Sequence, residues 1–279
     1  TTTTPSPNER TVIEHPILAQ APKQSFEEFI ARCSMYPEVD VALIRRAVAD
    51  PSEVAKLQDR WYESLSRGDP DFDVYGEDLY MADLWTCWAT YSRAYLRNIQ
   101  GPQSFGNCSI YAMLRDLNIR GIADLGCGIA QATIGLCQMF PDVPVTGTNL
   151  SKTFQRRLCE DMGKSFGYQV RSTVQEIDHP VDLVFASEYF EHFERPVQHI
   201  EEVVECLFPK ALLIASTFGA PSIGHFNTYI GREGSMNGQS MSRAFNGRLR
   251  ELGYQKQKTR LWNNRPAVWT RKASSAPKS

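Results

Sequence analysis

The sequence predicts an α/β fold in which a mostly parallel sheet carries helices on both faces, ends in an antiparallel C-terminal hairpin and follows a helical N-terminal region. Three observations predict it. From residue 107 onward, short apolar runs of strand length alternate with stretches of helical spacing, the pattern of strands joined by crossover helices. Residues 121–131 read Gly-Ile-Ala-Asp-Leu-Gly-Cys-Gly-Ile-Ala-Gln, a buried strand passing through a glycine turn into a helix. Upstream, residues 25–99 hold a succession of helical patterns.

In chain order, residues 1–24 open with four threonines, carry prolines at positions 5, 7, 16 and 22, and read as a disordered or loosely draped arm. Ser25 and Glu28 form a capping box ahead of the apolar face of Phe26, Phe29 and Ile30. A second helix is expected at 39–48. Asp50 caps a third with Pro51 in its first turn, running to Gly68. Residues 69–77 are a polar connection. Leu84, Cys87, Trp88, Tyr91 and Tyr95 recur at helical spacing, so 80–99 is the longest N-terminal helix. Its aromatic side chains read as the core of a helical cap, and one or two are expected to line a pocket suited to flat or cationic acceptors. Then follow a helix at 107–117, a strand at 120–125, a helix at 129–140 stopped by Pro141, and a strand at 143–148. A helix from Ser151 to Gly167 precedes strands at 168–172 and 181–186. A helix at 195–208, stopped by Pro209, leads to the apolar strand 211–216. Residues 217–237, with four glycines and Pro221, read as a long loop over the site. A helix at 240–252 ends at Gly253, residues 254–260 and 267–271 pair as a hairpin, and 273–279 is a polar tail.

Composition excludes several classes. With 279 residues and 42% hydrophobic content, the chain supports one large core with at most a smaller appendage. A net charge of −2 excludes a global basic field for nucleic acid. The local basic run from Arg243 to Arg260 reads as a solvated helix face and strand edge. Seven cysteines without a C-x-x-C pair exclude a disulfide framework and a zinc ribbon, and read as reduced residues of a cytoplasmic protein. No run approaches the roughly 20 apolar residues of a membrane span.

The glycine turn narrows the ligand. A dinucleotide fingerprint carries a third small residue where this chain has Gln131, which disfavours NAD and FAD. Asp124-Leu125-Gly126-Cys127-Gly128 resembles the D/E-x-G-x-G motif of the class I S-adenosylmethionine-dependent methyltransferases, and the resemblance spans about 111–272. It implies a Rossmann-like sheet whose final hairpin supplies the antiparallel sixth and seventh strands. It also implies S-adenosyl-L-methionine as cofactor, bound against Asp124, Gly126, Cys127, Gly128 and Gln131. At the end of the second strand, where the family carries Asp or Glu for the ribose hydroxyls, stands Asn149, followed by Leu150. Val174 and Gln175 take the place of the adenine contacts, and Ser187 and Glu188 that of the residues beside the sulfur. On this reading Asn149→Asp should strengthen cofactor binding.

After the fourth strand, Glu188, Glu191, His192 and Pro196 resemble the E-x-x-E-H-x-x-x-P stretch of many small-molecule methyltransferases. Neither N/D-P-P-Y/F nor a Pro-Cys nucleophile is present, which argues against the two DNA-base chemistries that use them. With His225 arriving after the fifth strand, the residues allow two sites. In one, His192 or His225 takes a proton from the acceptor, positioned with Glu191. In the other, Glu188, Glu191, His192 and His225 bind a divalent metal, as in the small-RNA 3′-terminal 2′-O-methyltransferases. The expected function is methyl transfer to O, N or C of a small-molecule acceptor. The alternatives are metal-dependent RNA ribose methylation and a catalytically inactive cofactor-binding protein. The expected organisation is an arm (1–24), a helical lid (25–106), a cofactor-binding domain (107–272) and a tail (273–279), with no membrane contact and an open oligomeric state.

Overall fold

The computed structural model describes residues 25–101, 105–232, 234–261 and 265–272, so the expected arm and tail lie outside the described residues. Helix α1 (Phe26–Cys33) starts at a complete capping box: Ser25 Oγ accepts from the Glu28 amide, and the Glu28 carboxylate accepts from the Ser25 amide at 2.8 Å. Helices α2 (Val41–Ala49) and α3 (Pro51–Ser66) follow, α3 capped by Asp50 with Pro51 in its first turn. The connection expected at 69–77 contains a 3₁₀ turn (Phe72–Gly76). The long helix expected at 80–99 is α4 (Asp78–Cys87) and α5 (Arg93–Gln100), joined through a π-helical turn, Trp88–Ser92. A 3.6-residue pattern does not reveal that insertion, and such turns concentrate at functional sites.

After α6 (Ile110–Asp116), strands and helices alternate: β1 (Ile122–Leu125), α7 (Gln131–Met139), β2 (Val145–Thr148), α8 (Phe154–Phe166), β3 (Gln169–Arg171), β4 (Leu183–Ser187), α9 (Pro196–Leu207) and β5 (Ala211–Ala215). The segment expected as an unstructured loop at 217–237 instead contains a hairpin of β6 (Thr228–Gly231) and β7 (Gly234–Asn237). Its four-residue strands are too short to show alternation, and their glycines read as loop; burial of Tyr229 fixes the pairing. Helix α10 (Gly238–Glu251) leads to β8 (Tyr254–Lys256) and β9 (Ala267–Arg271). The main sheet has the order β3-β2-β1-β4-β5-β9-β8, with β1 to β5 parallel and β8 and β9 antiparallel as expected.

Side chains alternate between two cores. Ile122, Leu183, Phe185 and Leu213 join the core under α1, α2 and α4 to α8, while Ala123, Val184, Leu212 and Ile214 join the core under α9 and α10. Burial on both faces explains the near-continuous apolar runs of β4 and β5. A third cluster, around Trp61, Tyr75, Tyr80, Phe226 and Tyr229, packs the N-terminal helices onto the segment that follows β5. The strand order reverses between β1 and β4, so the crevice opens beyond their C-terminal ends.

Candidate active site

Everything that ends at that crevice lines one cleft of about 1540 Å³. Its floor is the turn after β1. Gly126 and Gly128 both take positive φ (65° and 53°), and Ala130 follows in the left-handed region at the head of α7. The turn is tied to β2: the Gly126 amide donates to Thr148 Oγ1 at 3.0 Å, and the Cys127 amide to the Thr148 carbonyl at 2.8 Å. The Gly128 and Ile129 amides make no hydrogen bond among the described residues, and both residues line the cleft. Asp124 is 2% exposed and accepts from Thr133 Oγ1 at 2.7 Å. No cation among the described residues offsets its burial, which pushes its carboxyl up to about 7.

Asn149 lines the cleft, but its amide is committed to the turn. Nδ2 donates to the Gly128 carbonyl at 2.8 Å, and Oδ1 accepts from the Leu150 amide at 2.8 Å. This reverses the sign expected for Asn149→Asp: a carboxylate would face the Gly128 carbonyl with no proton between them. Loss of that donor should cost about 1–3 kcal/mol, seen as a lower melting temperature and weaker ligand binding. An unchanged melt would show that the turn holds without it. Leu150, Val174 and Gln175 also line this end, Leu150 exposed and Val174 buried.

At the other side, β4 delivers Ser187, whose Oγ lies 2.9 Å from Ser92 Oγ of the π-helical turn. Glu188 follows with a left-handed φ of 49°, a strained conformation that aims its carboxyl between neighbouring elements. Tyr95 donates to its Oε1 at 3.0 Å, and Arg265 stands at 3.8 Å. Burial, reinforced by the Glu191 carboxyl, raises Glu188 to about 8, so it is largely protonated at neutral pH. Glu191 is fully buried behind the cleft wall rather than lining it: Oε1 accepts from the Thr217 amide at 2.8 Å, while Oε2 has no hydrogen-bond partner.

His192 and His225 meet at right angles with ring centres 4.7 Å apart, and both line the cleft. Burial holds both below the usual imidazole range, His192 well below, with His225 adding to its shift. Each is oriented through Nδ1: His192 by the Tyr75 hydroxyl at 3.0 Å, His225 by donation to the Ala220 carbonyl at 2.8 Å. Donation from Nδ1 leaves Nε2 of His225 with its lone pair. Helix α3 fixes this segment, since Trp61 Nε1 donates to the His225 carbonyl at 2.7 Å and Tyr62 Oη accepts from the Ser222 amide. The cleft thus combines a glycine turn with two open amides, a buried acid and two neutral imidazoles.

Residues 123–215, from β1 through β5, match the family model described as methyltransferase domain. The matched segment holds the glycine turn and the Ser187-Glu188 end of β4, which line the cleft. No curated protein matches it. Solved structures with related folds include the plantazolicin methyltransferase BpumL in complex with a pentazolic desmethylPZN analog and SAH. That match is 16% identical with a TM-score of 0.40, over 58% of this chain and 60% of that one. The methyltransferase domain of bacterial CtHen1 is 16% identical with a TM-score of 0.40, over 58% of this chain and 95% of that one. A candidate O-methyltransferase from Nostoc punctiforme PCC 73102 is 11% identical with a TM-score of 0.45, over 77% of this chain and 68% of that one.

Every site residue expected from the sequence except Glu191 lines this cleft. Among the described residues, no group of three or more His, Cys, Asp or Glu side chains is placed to hold a metal ion. Tyr75, Trp61, Arg265 and Asp83 went unread in the sequence. Their positions depend on contacts between distant segments, and no spacing rule marks them. All seven cysteines are free, and no helix among the described residues is long and apolar enough to cross a membrane.

Proposed function

We propose that this chain is an S-adenosylmethionine-dependent methyltransferase acting on an O, N or C nucleophile of a small-molecule acceptor. Residues 107–272 hold the cofactor and 25–106 act as a helical lid. The observation that carries this reading is Asp124: a buried carboxyl without a cation, beside unpaired turn amides. Such a floor suits the amino-acid end of the cofactor, ammonium to Asp124 and carboxylate to the amides. When bound, the cofactor supplies an already activated methyl group.

The chain's own residues align and protect the reacting atoms. Gly126, Cys127, Gly128 and Gln131 form the floor; Leu150, Val174 and Gln175 form the nucleoside end, with Asn149 bracing the turn. Ser187 and protonated Glu188 face the centre. His225, or His192 held by Tyr75, accepts the proton of an acceptor that must lose one, and Glu191 positions the segment after β5. The lid excludes water. Free cysteines support a cytoplasmic setting.

Calorimetry with S-adenosylhomocysteine, followed by a screen for labelled methyl transfer, tests the reading; absence of binding overturns it. The electrostatics add a second check. The groups acting on Asp124 include Cys127, Cys137 and Tyr168, whose pKa values are all raised, so they stay uncharged at neutral pH. The ligand ammonium favours ionised Asp124, so binding releases a proton below about pH 7. Affinity should fall roughly tenfold per pH unit below that value. A flat profile from pH 5 to 8 would remove Asp124 from the ligand contacts.

A further inference from the structure

The cleft is larger than one ligand needs. Its 1540 Å³ exceeds the roughly 300–1,000 Å³ of a pocket for a single small molecule. Beyond the glycine turn, its lining includes residues of α4, the π-helical turn, the 3₁₀ turn and the segment after β5. Asp83 on α4 is one of them. It bears electrostatically on Tyr80 and Cys87, and Tyr80 packs edge-on against Tyr75 at 5.1 Å, the phenol that orients His192. The same helix meets the glycine turn through a different residue, Leu84.

The Asp83 carboxyl lines the cleft and makes no hydrogen bond or ion pair with any described residue. Burial raises it to about 6, and no cation among the described residues pairs with it. Aromatic side chains with spare surface line the same cleft. Phe72 is 55% exposed and Tyr91 49% exposed, although both line the cleft beside Trp88. Even with Glu188 protonated, the lining leans acidic: Asp73, Asp83, Asp124, Glu194 and Glu202 stand against two cations, Lys152 and Arg265. Arg265 already sits beside Glu188, and the two buried imidazoles are neutral.

We propose that Asp83, with the faces of Phe72, Trp88 and Tyr91, recognises a protonated amine on an aromatic small-molecule acceptor. This rests on the methyltransferase reading of the cleft and adds the chemistry of the molecule that enters it. The carboxylate pairs with the ammonium, the ring faces attract the same charge, and they stack on the acceptor's own ring. A neutral acceptor of the same shape leaves Asp83 buried and unpaired, so the site discriminates by charge.

The test is calorimetry on the full chain saturated with S-adenosylhomocysteine, using tyramine and its neutral isostere tyrosol as probes. Tyramine should bind at least about tenfold more tightly than tyrosol. Asp83→Asn should weaken tyramine by roughly 10–100-fold, leaving tyrosol and S-adenosylhomocysteine unchanged. Tyr91→Leu, at an exposed position, should weaken tyramine by about 2–5-fold with the fold intact. Equal binding of the two probes, no tyramine binding by the loaded protein, or loss of S-adenosylhomocysteine affinity in Asp83→Asn each overturns this proposal alone; the last would assign Asp83 to the cofactor. Failure of the unaltered chain to bind S-adenosylhomocysteine overturns the methyltransferase reading and this proposal with it.

Discussion

Gly126→Val is expected to abolish S-adenosylhomocysteine binding. At φ 65° a side chain is strained by about 1–2 kcal/mol, and β-branching makes that region worse. The new Cβ would also lie 2.4 Å from the Tyr189 ring. That ring has little freedom: it packs on Phe190 and Phe193, and its hydroxyl lies 2.8 Å from His199 Nε2. The turn must therefore move, and with it the Cys127 and Gly126 amides that bind Thr148 and the Gly128 carbonyl that Asn149 holds. The added Cβ thus collides with the segment after β4. Both floor and wall of the cleft are displaced, so affinity should fall by more than about 100-fold, the sum of strain and lost contacts. The melting temperature should drop modestly, because β1 itself is unaltered. Gly126→Ala should fall between. An unchanged dissociation constant in a folded Val variant would detach the turn from ligand binding.

The same residues show where sequence reasoning stops. The parallel sheet and the position of the glycine turn were legible because β1, β4 and β5 are buried on both faces and leave unbroken apolar runs. The placement of His225 was legible because the topology puts the ends of β4 and β5 side by side. What Asn149 does was not, since an amide and a carboxylate look interchangeable until the Gly128 carbonyl is seen 2.8 Å away. The E-x-x-E-H stretch groups Glu191 with His192; the inward position of Glu191 against the Thr217 amide depends on the 3₁₀ turn at Phe190–His192, which that stretch does not reveal. Tyr75, in a stretch that reads as polar connection, reaches His192 from 117 residues away in sequence.

Those imidazoles carry the other large effect. If His192 or His225 is the proton acceptor, the corresponding alanine variant should lower turnover by roughly 10²–10⁴ while S-adenosylhomocysteine binding is retained. Burial lowers both imidazoles, so the basic form persists below pH 6.5, and the acid limb of the rate profile should lie under that value. Tyr75→Phe should then reduce turnover through His192 alone, since it removes the hydroxyl at Nδ1 and leaves the ring packing. Glu188 separates this mechanism from metal chemistry. As a protonated acid it acts as a hydrogen-bonding neighbour, and Glu188→Gln should keep most activity because the amide reproduces a neutral donor and acceptor. As a metal ligand it would be irreplaceable: Glu188→Gln, His192→Ala and His225→Ala would each lose the ion and activity together, and chelator would silence the unaltered protein. Measured turnover and bound manganese, cobalt and zinc across the three variants decide between these outcomes. Full activity in both histidine variants would mean that the methyl acceptor needs no base and that the cleft works by alignment and exclusion of water.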